Sequence, residues 1–391
     1  MNILFLTRSF GIGGVSIVTV NLANEFVTRE HCVSIVTCDD TQGPNIIDRL
    51  NSKVHCYQLN GLKFSHENVN ALKNIIQREK IQIVINQWGL HPALLHTAVK
   101  AGKNMQLKYI SVYHNAPNMN GKLQAIDNRL AVTGNPVVKY GLNILRFFIH
   151  KITAHYMLSN YKWSDQYIVL ASSYIKTFME YTGLKDNHKL IALGNPITVT
   201  SQDYVYDPIT KKREILFVGR LDFYQKKVER IITVWQLLEE RFRDWQLTLV
   251  GGGPALEGLK RLVVEKNLKR VAFEGFQSPV TYYKRASILI LTSEFEGFPL
   301  VLPEAMSFGV VPMTYGSFAA VYDIVDDRKN GAVIPYDSSG FKPQPMAERL
   351  AEWMKNPKEL EKLALAALEK SRQYSMEYIY EEWMRIFNKL I

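Results

Sequence analysis

Four charged side chains in the second half of the chain have types and spacing that suit chemistry. Glu296 and Glu304 bracket seven residues, Gly297-Phe298-Pro299-Leu300-Val301-Leu302-Pro303. Glu296 follows an apolar run and precedes a glycine, where a carboxylate can accept paired hydrogen bonds from neighbouring hydroxyls. The two prolines keep the segment up to Pro303 from being regular helix, and Pro303 suits a first helical position. Glu304 then falls in the first turn, facing unpaired backbone amides and favoured by the helix dipole by up to about 1 kcal/mol. A plain helix-start carboxylate is the simpler reading of it. Arg220 closes the run Phe217-Val218-Gly219, and Lys226 comes six residues later. A guanidinium forks onto phosphate oxygens and an ammonium adds a mobile point charge, so the pair could neutralise a diphosphate. Two solvated surface cations are the alternative.

Two glycine loops accompany these residues. Gly11-Ile12-Gly13-Gly14 follows the first apolar run, and Gly251-Gly252-Gly253-Pro254 follows another in the second half. Each precedes a helical pattern, so the backbone can turn tightly and offer amides to an anion. The first loop approaches a dinucleotide fingerprint, with Asp39 and Asp40 downstream, but Ser16 stands where a third glycine belongs. A tight turn is the simpler explanation, and a loop facing a phosphate or a sugar is the other. His114 ends an apolar run inside Tyr113-His114-Asn115, where a lone histidine is by itself a structural residue.

The elements that must position these residues alternate strand and helix. Apolar runs at 2–7, 33–37, 53–58, 81–86, 109–113, 166–169 and 189–193 predict strands in the first half. Runs at 214–218, 246–250, 271–273, 288–291, 310–314 and 332–334 do so in the second. Helical patterns intervene, for example at 16–28, 227–241 and 254–266. The polar stretch 196–212 reads as a linker. The fold class is therefore α/β, with two Rossmann-like doubly wound domains whose strand carboxyl ends face a central cleft. The expected domains are 1–200 and 201–372, and an amphipathic C-terminal helix in 373–391 (Tyr378, Trp383, Ile386, Phe387, Leu390) packs back on the first.

The 391 residues exceed one ordinary core and suit two. Forty-seven lysines and arginines against 37 acids give a formal charge of +10, which favours anionic partners. No dense basic run with interleaved aromatics appears, so nucleic acid is not an expected partner. Three cysteines without a CxxC pair argue for buried, reduced thiols rather than a disulfide framework. The absence of a signal-like leader or a long apolar run predicts a cytoplasmic protein, peripheral at most on the inner face of the membrane. Residues 139–164 hold four cations, no acid and apolar residues at Leu142, Leu145, Phe148, Ile149, Ile152 and Tyr156. That pattern fits a helix lying on an anionic membrane surface. It equally fits a core-facing helix with solvated lysines.

Phe217–Arg220, Lys226, Gly251–Pro254 and the Glu296/Glu304 pair together resemble the retaining nucleotide-sugar glycosyltransferases of glycosyltransferase family 4, which have the GT-B fold. The likeness extends over nearly the whole chain, and the glutamate pair is its most specific part. It implies that Arg220 and Lys226 hold a donor diphosphate, that Glu304 binds ribose hydroxyls and that Glu296 binds the donor sugar. It further implies backbone contacts from Gly297, Phe298 and Leu300, a sugar contact from His114, and Gly13 and Gly14 near the phosphates and acceptor. Gly252 and Gly253 belong to the second loop, and Phe276 and Gln277 stand where the nucleobase is held. Gly194-Asn195-Pro196 and Ala319-Ala320 depart from the family pattern.

The implied reaction is retaining hexosyl transfer from a nucleotide-sugar, a UDP-sugar before a GDP-sugar, to a glycan or lipid-linked acceptor in cell-surface polysaccharide or glycolipid synthesis. The nucleotide-sugar is a co-substrate, and no cofactor is expected. The sequence has no Asp-x-Asp triplet, so no metal is expected either. A dinucleotide-dependent oxidoreductase would explain the Gly11 loop but would leave Arg220, Lys226 and the glutamates idle. A non-catalytic nucleotide-sugar binder is the other alternative.

Overall fold

The computed structural model describes residues 1–11, 13–39, 45–199 and 204–391. The expectations on Ile12 and Asp40, and part of the expected linker, lie outside the described residues. The chain divides into two compact units, Met1–Pro196 with Met376–Ile391, and Ile197–Ser375.

In the first unit seven parallel strands run β1 (Asn2–Leu6), β2 (Cys32–Thr37), β3 (His55–Gln58), β4 (Ile83–Asn86), β5 (Lys108–Tyr113), β6 (Gln166–Val169) and β7 (Leu190–Ala192). Their order in the sheet is β3-β2-β1-β4-β5-β6-β7. Ile3, Leu4, Phe5 and Leu6 are wholly buried, as a strand covered by helices on both faces must be. In the second unit six parallel strands, β8 (Lys212–Val218), β9 (Gln246–Val250), β10 (Val271–Gly275), β11 (Ala286–Leu291), β12 (Val311–Gly316) and β13 (Ala332–Pro335), take the order β10-β9-β8-β11-β12-β13. Both sheets thus reverse direction beside their first strand, at β1/β4 and at β8/β11. Ligands of doubly wound sheets bind outside the carboxyl ends at that reversal.

All thirteen expected strands are present among the described residues, with ends moved by at most two residues. The helix expected at 227–241 is shorter, Val228–Gln236, and gives way to turns. The final helix, Met376–Leu390, packs in the first unit. It buries Ile379, Tyr380, Trp383 and Phe387, and Tyr380, Trp383 and Phe387 ring Phe26 at 5.7 to 6.4 Å. Tyr378, expected on that buried face, is exposed, because the i, i+4, i+8 row runs through 379, 383 and 387. Cys38 is buried, but Cys32 and Cys56 are exposed at the sheet's edge region, against the expectation of three buried thiols.

Candidate functional site

Arg220, Lys226 and Glu296 come together where β8 meets β11. After β8 the chain turns through Gly219 and Arg220 into a loop organised by Asp222. One oxygen of its buried carboxylate accepts the amides of Tyr224, Gln225 and Lys226 at 2.7 to 3.0 Å, and the other accepts Arg220 Nε at 2.8 Å. Burial opposes the Asp222 charge, but the Lys226 amide, Arg220 and the Gln225 amide hold its carboxyl below the ordinary value. The loop is thus fixed before any ligand arrives.

The loop after β11 is strapped to it. The Glu294 amide donates to Gln225 O at 2.7 Å and Thr292 Oγ1 donates to Lys227 O at 3.1 Å. Lys226 Nζ reaches Glu296 Oε1 at 2.5 Å, with side chains only 15% and 8% exposed. Gln225 Nε2 donates to Phe295 O and to Glu296 Oε2, both at 3.2 Å, while its Oε1 accepts from Arg220 at 3.2 Å. Gln225 therefore joins both cations' loop to the carboxylate. Arg220 keeps most of its guanidinium in water, 61% exposed, so it remains accessible to an anion.

The glycines divide by cause. A Cβ on Gly251 or Gly253 would overlap the carbonyl oxygens of Gly219 and Leu221, and both have left-handed φ, +141° and +157°. Those two are glycine because the β9 loop lies directly on the β8 loop, not because a ligand needs the room. Gly252, Gly13 and Gly14 meet nothing within 4 Å, so the protein itself leaves their space open. Gly13 is the N-cap of helix Gly14–Thr28.

Glu304 does not join the network. The helix begins at Val301 rather than at Pro303, so Pro303 is its third residue. A proline is tolerated there because the first helical amides have no intrahelical partner. The buried Glu304 carboxylate faces Thr198 Oγ1 at 2.5 Å and Tyr283 Oη at 3.3 Å, not the helix amides. Burial raises its carboxyl above the ordinary value, against the pull of Thr198 and Tyr283. With a raised folded-state pKa, the penalty is absent below the unfolded value and grows as pH rises through the folded one. Glu304→Gln keeps an acceptor oxygen for one hydroxyl and offers an N–H to the oxygen of the other. It is expected to unfold at higher denaturant than the parent at neutral pH, with the gap closing in mild acid.

Phe298 is buried against Tyr374 at 5.4 Å, so its ring is committed to packing and not to a ligand. Gly297 precedes it, and Leu300 caps the Glu304 helix. Phe276, 79% exposed, and Gln277 follow the carboxyl end of the edge strand β10, with Gln277 Nε2 on Glu274 O at 3.0 Å. A cavity of about 520 Å³ lined by Arg213, Arg243, Lys269 and Arg270 sits at the strands' amino ends, away from these loops.

In the first unit His114 follows β5, and its Nε2 lies 2.6 Å from Gln87 Oε1. Burial drops the imidazole to about 4, and its Nδ1 and Gln87 Nε2 have no partner among the described residues. The ring is neutral at pH 7. Acid favours the unfolded state from about pH 6.5, its ordinary value, down to about 4, at a cost of up to about 3 kcal/mol. Denaturant unfolding at neutral and acid pH should show His114→Gln losing less stability in acid than the parent. Beyond the carboxyl ends of β1 and β2 lies a cavity of about 800 Å³ lined by Arg8, Gly11, Asp39, Asn60 and Trp88. There Arg8 pairs with Asp39 at 2.6 Å and lies over the Trp88 ring. Asp39, the acid that a dinucleotide site would use for ribose, is engaged by that arginine.

Asp222, Gln225, Thr198, Tyr283 and Gln87 were not expected from sequence. An aspartate two residues after Arg220, opening a non-helical loop, is a signal for the first two; the others lie too far away in sequence.

Known proteins show the same build. Residues 12–199 match the family model described as Glycosyltransferase Family 4, and residues 202–370 that described as Glycosyl transferases group 1. An uncharacterised glycosyltransferase of Haemophilus influenzae is 25% identical, covering 98% of both chains. The lipopolysaccharide 1,6-galactosyltransferase of Salmonella typhimurium is 30% identical, over 38% of this chain and 45% of its own. Anabaena HepE, solved in complex with UDP, superposes over the full length of both chains with a TM-score of 0.75 at 13% identity. With both halves matched and the two doubly wound sheets in place, the chain belongs to the glycosyltransferases of the GT-B fold.

Proposed function

We propose that the protein transfers a hexosyl unit, with retention and without a divalent metal, from a nucleotide-sugar to a glycan or lipid-linked acceptor of the cell surface. The observation that carries this reading is the Arg220–Gln225–Glu296–Lys226 network at the β8/β11 reversal. Two cations beside a carboxylate support binding of a sugar diphosphate, the carboxylate accepting from the sugar hydroxyls. Salmonella's enzyme, by its name, acts on lipopolysaccharide, and the HepE structure holds UDP, which supports a surface glycan acceptor and a UDP-sugar before a GDP-sugar.

In the reaction the bond from the anomeric carbon to the diphosphate oxygen breaks, and the acceptor oxygen bonds to that carbon. The acceptor proton passes to the departing phosphate. Arg220 and Lys226 stabilise the negative charge that grows on the leaving group, taking the part a metal plays elsewhere. Glu296 is paired with Lys226, and Glu304 with Thr198 and Tyr283, which suits binding of hydroxyls better than attack on carbon. Front-face attack by the acceptor is the reading that remains, with His114 offering a neutral ring to a sugar hydroxyl. Gly13 and Gly14, with open space over them, and the 800 Å³ cavity of the first unit suit the acceptor. Gly297, Phe298 and Leu300 contribute backbone, and Phe276 and Gln277 the base contact.

A thermal-shift screen against UDP-, GDP- and ADP-sugars identifies the donor, and its slow hydrolysis in EDTA is then followed by NMR. A UDP-sugar that raises the midpoint and releases the α-anomer from an α-linked donor supports the reading. Protection by none of the nucleotide-sugars, or an inverted product, defeats it.

A further inference from the structure

The helix Pro136–Trp163 inverts the usual arrangement of a surface helix, which buries its apolar stripe and shows polar side chains to water. Leu142 and Thr153 are buried, while Val137, Tyr140, Ile144, Phe147, Phe148 and Ile152 stand exposed, Val137 at 77% and Tyr140 at 70%. At 3.6 residues per turn those six positions cover roughly half of the helix circumference. Val132, ending the preceding helix Gly121–Val132, is exposed too, so the tip that the two helices share is apolar. Contiguous exposed apolar surface of this kind marks an interaction site.

The charges around it have one sign. Residues 121–164 hold six lysines and arginines and a single acid, Asp127. Arg146 takes that acid at 2.7 Å. Lys151 Nζ lies 5.5 Å from the centre of the Phe147 ring, its stem along apolar surface and its head free, as lysines stand at a membrane boundary. A second copy docked symmetrically on this face would set cation against cation. No helix of the described residues is long and apolar enough to cross a bilayer.

We propose that this helix pair seats the protein on an anionic bilayer. Phe147 and Phe148 enter the acyl boundary, and Lys122, Arg129, Lys139 and Lys151 meet the headgroups. The seating is independent of which sugar is transferred, and its test involves no turnover.

The full chain is sedimented with vesicles of phosphatidylcholine alone and of phosphatidylcholine with phosphatidylglycerol. It should pellet with the second and not the first, and be released by high salt. Phe147→Ser with Phe148→Ser should lower partitioning by about a hundredfold or more. Lys139→Glu with Lys151→Glu should lower it about fivefold or more for each charge changed. Both pairs are exposed, so the unfolding midpoint should stay that of the parent. Absence from both pellets, equal pelleting with both vesicles, or unchanged pelleting of the serine pair would overturn the proposal. So would a dimer in light scattering that the serine pair dissolves without any loss of lipid binding.

Discussion

Lys226→Met should lower turnover on the donor by about 10²–10³-fold, the typical loss when a preorganised charge at a leaving group is removed. The same change should cost stability. Lys226 and Glu296 are largely shielded from water, and removing one partner of a buried pair leaves the other charge uncompensated, at about 3 kcal/mol or more. Gln225 still donates to Glu296 but carries no charge, so it softens the loss without cancelling it. The two effects separate in the double variant Lys226→Met with Glu296→Gln. It should recover much of the stability, because no unpaired charge remains, and none of the turnover. Denaturant unfolding and donor hydrolysis on the four proteins check both. A double variant that regains turnover would mean the pair is structural only.

Gly251→Ala should be the most damaging single methyl in the second unit. Its φ of +141° is open to glycine and hardly to any other residue. The added carbon would overlap the Gly219 carbonyl, so the β9 loop must lift off the β8 loop. That breaks the close approach of the two loops and displaces Arg220, the next residue. About 3 kcal/mol or more of stability and most of the nucleotide affinity should go together. Gly252→Ala is the control. Its carbon meets nothing within 4 Å, so stability should stay within about 0.5 kcal/mol of the parent, and any loss of affinity reports a ligand in that space. Equal destabilisation by both would show that loop packing does not distinguish them. For Glu304→Gln, gain of stability should come with a roughly tenfold or greater loss of nucleotide affinity, as a charged hydrogen bond is replaced by a neutral one.

The strands were legible because parallel strands buried on both faces read as unbroken apolar runs, as in Ile3-Leu4-Phe5-Leu6. Arg220 was legible as a candidate because it sits where such a run stops, and Lys226 and Glu296 because they lie in the loops that follow such runs. Asp222 was not. Its capture of three successive amides leaves no periodic mark, although it is what aims Arg220 and Lys226. Glu304 was placed in the correct turn with the wrong partners, since Thr198 is 106 residues away and nothing local announces it. Pro303 was read as a helix start, but the first turn has room for a proline at its third residue. The glycines of the second loop invited a ligand explanation, and for Gly251 and Gly253 the cause is backbone packing. The amphipathic helix 136–163 was ambiguous in one dimension, because helical spacing gives a stripe without telling which side the protein takes.

The first unit takes its last helix from beyond the second, and this sets an order on synthesis. Phe26 is wholly buried, yet Tyr380, Trp383 and Phe387, which ring it, leave the ribosome only after residues 197–375 have emerged. The nascent second unit can therefore close its own core while the first still shows an aromatic wound to the chaperones. A chain stopped at Ser375 should give a protease-resistant second unit and a first unit cut near Phe26; equal resistance of both would show that the late helix is dispensable.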